Sequence, residues 1–281
     1  ALPDMVIFHS TSQVKDCIEA GMLVALDDYF DKMPNVTKYM SKAMAYYADT
    51  LSLDGKNYVI PNSVGPKPKD SLAYWNPSIR WDLYKKIGSP EIKTVWDYLD
   101  VLKQMQEIYP VNEDGQKVYA ITAWTDWDPI YMYNALQPSM HNGITCGDQL
   151  PLPFAEVDFD TLELSCTLDE NSAYIDGLKW HFTANQMGIL DPDCMTQNWN
   201  TVLEKASAGR VLFGWYDWTV SGYNTPERVN AEEPIGFATV LPTDTRAPIW
   251  GEDIVGRPWA WAISKNAKNI ERCVAYLDFM C

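Results

Sequence analysis

Residues 256–279 constrain the fold more than any other stretch of this chain. They read G-R-P-W-A-W-A-I-S-K-N-A-K-N-I-E-R-C-V-A-Y-L-D-F. Residues 259–263 form an apolar run of strand length, which suits a strand buried on both faces. Ser264-Lys265-Asn266 breaks the run. Asn269 then offers a strong N-cap, and Glu271 follows where the positive end of a helix dipole favours a carboxylate. Ile270, Cys273, Val274 and Leu277 fall on one helical face. Strand, polar turn and amphipathic helix make half of a βαβ unit, so the pattern predicts an α/β lobe. Trp259 and Trp261 exceed what a core strand needs and mark its end as a place for binding aromatics.

At 281 residues the chain is too long for one small domain, and two lobes are the natural expectation. A formal charge of −16 argues against nucleic acid as a partner, because no basic stripe could neutralise phosphates. No apolar run is long enough to span a bilayer. The opening Ala1-Leu2-Pro3-Asp4 reads as the middle of a domain, so a removed upstream segment is expected, and the end at Cys281 falls in a helix's last turn. Six cysteines (17, 146, 166, 194, 273, 281) show neither C-x-x-C nor zinc spacing. One or two disulfides are open to an exported chain, and the spacing fixes no pairing. Each Cys reads first as a buried thiol or a simple bridge.

Going along the chain, residues 3–8 form a short strand pattern and Ser10-x-x-Gln13 a capping box, with Gly21 supplying the left-handed end of the helix. His9, Ser10 and Thr11 therefore lie between a strand's carboxyl end and a helix N-terminus, where open α/β sheets bind ligands. Capping alone would explain Ser10 equally well. Asp54-Gly55 turns into a strand ending at Pro61, and residues 62–70 are the best linker. Asn76-Pro77 predicts a helix from that point to Gly88, and Thr94-x-x-Asp97 another with Val95, Tyr98, Leu102, Met105 and Tyr109 inward. A strand over 118–123 runs into aromatics, a hairpin is expected near 158–164, and helices over 172–185 and around Val202–Ala206 follow. Strands at 210–218 and 234–242 complete the pattern. Helices alternate with strands, so the class is α/β.

No nucleophile elbow, H-E-x-x-H, P-loop or G-x-G-x-x-G occurs. His9, His141 and His181 are scattered, which gives little support to a His-centred triad or metal site. Three D-x-D pairs, Asp126/Asp128, Asp158/Asp160 and Asp191/Asp193, are unremarkable among 38 carboxylates. What recurs is a short strand ending in aromatics beside a polar group: Phe8-His9-Ser10, Trp124-Thr125-Asp126-Trp127, Trp215-Tyr216-Asp217-Trp218 and Trp259. Indole and phenol rings suit a sugar, whose C–H face lies on the ring while its hydroxyls find polar partners. With 12 Trp and 16 Tyr the chain has rings to spare, although most must fill cores. This describes a binding cleft better than a catalytic centre.

Several motifs, in order, carry a family resemblance. P-D-M-V (3–6) precedes G-M-L-V-A-L-D-D-Y (21–29), L-D-G-K-N-Y-V-I-P (53–61) and Y-W-N-P (74–77); Gly88, T-V-W-D-Y-L (94–99), A-S-A-G-R-V-L-F (206–213) and G-R-P-W-A-W-A-I-S-K-N-A-K-N (256–269) follow. Together they resemble the extracytoplasmic solute-binding proteins of ABC importers, in the sugar-binding group typified by maltodextrin-binding protein. V-L-F (211–213) departs from that group's A-A-M, and Pro258 and Trp261 replace small residues. Ligand identity therefore does not carry over.

The resemblance implies a two-lobed periplasmic-binding-protein-like α/β fold of type II with a central cleft. Lobe one would comprise 1–66 and 258–281, incomplete at both ends, and lobe two 72–252, with 67–71 and 253–257 as hinge segments. It implies ligand contacts at Phe8, Ser10 and Thr11 from lobe one and at Asn62 near the hinge. From lobe two it implies Trp124, Asp126, Trp127, Asp217 and Trp218, with Trp259 at the return crossover. It further implies a carbohydrate ligand, permease subunits as partners, a monomer, and no catalysis or cofactor. The location would be extracytoplasmic, either periplasmic or held by a lipid anchor outside this chain. Two other readings compete: a glycoside hydrolase using two cleft acids, and an adhesion module using its aromatics for protein contact.

Overall fold

The computed structural model describes residues 2–52, 54–62, 64, 71–72, 77–127, 131–140, 144–146, 154–158, 161–244, 250–251 and 255–281. Of the expected hinge segments, residues 67–70 and 253–254 lie outside the described residues. The chain divides into two compact units, Ala1–Leu72 with Ile249–Cys281 and Ala73–Pro248.

The first unit is organised by the strand Arg257–Ile263. It pairs antiparallel with Met5–Phe8 on one side (Met5 opposite Ile263, Phe8 opposite Ala260) and with Ile60–Asn62 on the other. Ala260, Ala262 and Ile263 are buried, as an apolar central strand requires. Both neighbours run antiparallel, whereas the strand–turn–helix pattern had suggested half of a parallel unit. The helix Ile270–Met280 follows, and the Asn269 side chain accepts the Arg272 N–H at 3.0 Å. Its Cys273, Val274 and Leu277 pack with Leu26, Met33, Val36 and Ile263. Asp278 turns back to cap the helix Pro34–Tyr39, accepting the N–H groups of Asn35 and Val36 at 2.8 and 3.0 Å. The helix Thr11–Glu19 has the expected Ser10 cap, and Gly21 leaves it at φ +64°.

In the second unit the strand Ser78–Arg80 lies between Phe213–Gly214 and Phe237–Thr239. This corrects the helix expected from Asn76-Pro77, because the helix begins only at Trp81 and runs to Lys86. Ser78, Ile79 and Arg80 are buried, and pairing on both edges satisfies their backbone, which outweighs a local helix-start signal. Arg80 donates from Nε and Nη2 to Asp82 at 3.0 and 2.9 Å and lies 4.3 Å from the Tyr223 ring centroid. A bidentate, ring-stacked guanidinium is one of the few charged groups that tolerates such burial.

The helix Asp97–Ile108 turns Tyr98, Leu102 and Met105 inward, and Asp97 accepts the Thr94 N–H at 2.8 Å. Residues 118–123 do not form the continuous strand expected of them. Their links are isolated parallel bridges, Tyr119 with Val211 and Ile121 with Leu190. The hairpin Ala155–Asp158 and Leu164–Cys166 stands where it was expected, with Ile144–Cys146 on its other edge. From that sheet Glu156 sends its buried carboxylate to the start of the helix Ala173–Gln186, accepting the Ala173 and Tyr174 N–H groups at 2.8 and 2.9 Å. Among the described residues Cys17, Cys166, Cys194, Cys273 and Cys281 are free thiols. The side chain of Cys146 lies outside the described residues.

Two residues of the Ala173–Gln186 helix make the packing testable. A Cβ on Gly177 would stand 1.5 Å from the Ala135 carbonyl oxygen, so the two segments approach as closely as they do only because that side chain is missing. Gly177→Ala is expected to destabilise the fold by ~3 kcal/mol, as overpacking does, read as a lower urea midpoint. His181 is buried against Trp180 and Tyr131, and burial lowers its pKa from 6.5 to about 4. The unfolded chain therefore binds the proton first. His181 stabilises the fold fully above pH 6.5 and loses that contribution as the pH falls towards 4. The loss is on the order of 3 kcal/mol. Urea titrations across this range should show the slope shrinking in His181→Phe.

Candidate functional site

The rings that the sequence marks out converge within the Ala73–Pro248 unit. The chain leaves its extended run at Trp124, and Asn134 holds that residue by donating from Nδ2 to the Trp124 carbonyl at 2.8 Å. Trp124 is 4% exposed and forms the floor. Trp127 is 45% exposed and stands edge-on to it, with centroids 5.0 Å apart. The planes of Trp127 and Trp218 lie within 12° of parallel at 6.0 Å. Tyr216 backs Trp218, stacked at 4.7 Å. The result is a partly open indole wall.

The sequence reading missed Trp199, which completes this wall. Its ring is 4.7 Å from Trp124, 5.3 Å from Trp127 and 5.2 Å from Trp218. It is the first residue of the helix Trp199–Ser207, whose N-cap Asn198 accepts the Thr201 N–H at 3.0 Å. N-W-N at 198–200 offers the helix cap but nothing that links Trp199 to the other rings, which stand far from it in sequence.

The two expected carboxylates hold this geometry. Asp126 accepts the Trp199 N–H at 2.9 Å, which ties the Trp124–Trp127 segment to the helix start. Asp217 opens the short helix Asp217–Val220 and accepts the Trp218 N–H at 2.8 Å. Trp218 thus sits on a first helical turn, where the sequence pattern had suggested the open end of a strand. Both aspartates are exposed, and each of these contacts uses one oxygen, Oδ1. Behind the wall, Trp124, Asn134, Gln137, Trp215, Tyr216 and Thr219 line part of a cavity of ≈ 20 Å³, room for about one water.

The remaining expected residues lie in the other unit. Phe8 is buried with Val14, Leu23, Tyr47 and Val59, so it is a core ring, while His9 and Thr11 are exposed and Ser10 caps its helix. Asn62 is exposed at the end of its strand, opposite Arg257. Trp259 lies within Arg257–Ile263, and its side chain is outside the described residues. Gly256, at φ +72°, could carry no Cβ without meeting the Asn62 carbonyl at 2.5 Å. Among the described residues no group of three or more His, Cys, Asp or Glu could hold a metal, and no helix is long and apolar enough to cross a membrane. Of the D-x-D pairs, Asp191 and Asp193 both bind the Lys205 ammonium, a structural role. Asp128, Asp160 and His141 lie outside the described residues.

No family model matches the chain. A curated relative, the fructooligosaccharide ABC transporter substrate-binding protein FusA of Streptococcus pneumoniae, is 24% identical over 233 residues, covering 79% of this chain and 41% of its own. The solved structure of that protein with kestose matches 99% of this chain at 20% identity, with a TM-score of 0.57. An alginate-binding protein matches with a TM-score of 0.60 at 17% identity, and an HMO-binding solute-binding protein from Bifidobacterium longum infantis with 0.54 at 17%, each over 99% of this chain. The chain has the fold of the ABC-transporter solute-binding proteins. It spans about half the length of these relatives, 41% of the curated one and 55–56% of the solved ones.

Within this fold the exposure of each ring sets what its loss should do. Trp124→Ala removes the floor and is expected to cost ~3–5 kcal/mol of stability, as for a buried Trp. Trp127→Ala should leave the urea midpoint close to wild type while changing the indole region of the near-UV circular dichroism, because it removes an exposed partner of three other rings. Equal losses of stability from the two variants would mean that Trp127 is a core residue.

Proposed function

We propose that this chain captures an uncharged oligosaccharide and is the substrate-binding component of an ABC importer, acting outside the cytoplasm and delivering its ligand to the permease. The observation that carries this reading is the indole wall of Trp124, Trp127, Trp199 and Trp218 bordered by Asp126 and Asp217. Partly exposed parallel rings offer apolar faces to the C–H face of a pyranose or furanose ring, and the second oxygen of each aspartate can accept a sugar hydroxyl. Both carboxylates would repel a uronate, and no Lys or Arg is among these residues. The similarity to FusA supports the importer reading. In the same reading the chain is a monomer, Trp259, Asn62 and the 9–11 turn add contacts, and 67–71 and 253–257 serve as hinge.

The hydrolase alternative requires two carboxylates free to act across a glycosidic bond. Asp126 and Asp217 are instead engaged with the backbone N–H groups of Trp199 and Trp218, two of the wall's ring-bearing residues, which favours binding.

A thermal-shift and calorimetry panel tests the proposal with kestose, maltotriose and an alginate trisaccharide. A neutral trisaccharide at ~100 times its dissociation constant should add roughly 2.7 kcal/mol of stability, and Trp127→Ala should weaken its binding. No sugar should be cleaved on long incubation. Stabilisation by the acidic sugar alone, or turnover of any sugar, would overturn the reading.

A further inference from the structure

Two of the three segments that carry the wall's rings are laced together by one polar network with a buried centre. Asp191 is 1% exposed, and its Oδ2 accepts the Lys205 ammonium at 2.7 Å and the Thr122 hydroxyl at 2.9 Å. Its Oδ1 accepts the Asp193 N–H at 3.1 Å. Gln197 donates from Nε2 to the Ala123 carbonyl at 2.7 Å and to the Thr122 hydroxyl at 2.6 Å. The Gln197 carbonyl in turn accepts the Thr125 N–H at 3.2 Å, and Asp126 closes the strip at the Trp199 N–H. Residues 122–126, which carry Trp124, are thus tied to residues 197–205, which carry Trp199, from one end to the other.

A lysine placed here is costly as a means of stability. Lys205 is 8% exposed, and removing a charge from water costs several kcal/mol that well-packed apolar residues would not incur. Its counter-ion is secured all the same: burial alone would raise the Asp191 pKa, yet the Lys205 ammonium, the Asp193 N–H and the Thr122 hydroxyl together hold it below the usual range. What charged, directional bonds provide and apolar contacts do not is a single register between the two segments.

We propose that Lys205 and Asp191, together with Gln197, are positioning residues that set the angles and spacing of the indole wall through the segments bearing Trp124 and Trp199. Their importance for capture rests on the oligosaccharide reading of that wall, whereas the ring geometry can be tested without any sugar.

The test uses the full chain with Lys205→Met, Lys205→Arg and Gln197→Met, and Leu102→Ala as a core truncation on the Asp97–Ile108 helix. Indole near-UV circular dichroism and acrylamide quenching of tryptophan are read well below each variant's melting temperature. Lys205→Met and Gln197→Met should lose much of the wild-type indole signal and quench more readily, while Lys205→Arg restores both and Leu102→Ala leaves both unchanged. If Lys205→Met does not fold, Gln197→Met decides, because it buries no unpaired charge. Wild-type spectra and quenching in the folded Met variants would overturn the proposal, as would the same spectral change in Leu102→Ala. Absence of kestose or maltotriose binding by the wild type would count against the oligosaccharide reading alone.

Discussion

The antiparallel pairing of Arg257–Ile263 with Met5–Phe8 and Ile60–Asn62 is the constraint on which the first unit depends. A central strand must satisfy both its edges, and here the partners come from the far end of the chain. All of Ala73–Pro248 is inserted between the second and third of these strands. The first unit therefore cannot complete its sheet until the last stretch of sequence is available, and it pays a long loop closure when it does. The second unit draws its strands and helices from one continuous stretch and faces no such wait. The C-terminal helix adds a second long-range tie, with Asp278 capping Pro34–Tyr39 and its Leu277 packed beside Met33 and Val36.

Within the second unit one short run of sequence separates structure from function. In W-Y-D-W (215–218), Trp215 joins Tyr98, Trp180 and Phe213 in the core, with centroids of 5.9, 5.0 and 4.8 Å, while Trp218 joins the wall. The switch follows from the backbone. Phe213–Gly214 ends as a strand, and a helix begins at Asp217. Gly214 permits the tight return, since a Cβ there would meet the Thr219 hydroxyl at 2.3 Å. Neighbouring aromatics in sequence thus serve opposite purposes because the chain changes direction between them.

What was legible in the sequence had local causes. The cap at Asn269, the face of Cys273, Val274 and Leu277, the Ser10 cap and the Gly21 end are each encoded within a few residues, and each is found as read. The Asn76-Pro77 signal was equally local and failed, because the strand Ser78–Arg80 is fixed by partners more than a hundred residues away in sequence. Trp199 escaped for the same reason. Nothing near it in sequence announces the Asp126 carboxylate that places it or the rings it meets. Phe8 erred the other way: the end of a strand is a good place for a ligand contact, but this ring is needed in the core.

The aspartates show why a list of acidic residues says little about chemistry. Asp126 and Asp217 would be obvious candidates for acid–base work if they were judged by position alone. Each has instead taken a backbone N–H at the start of a helix, Trp199 in one case and Trp218 in the other. Bound so, a carboxylate keeps its place, and its second oxygen can still accept a hydroxyl. The contacts that set Trp199 and Trp218 in the wall are therefore the same ones that fix Asp126 and Asp217 as acceptors beside the rings.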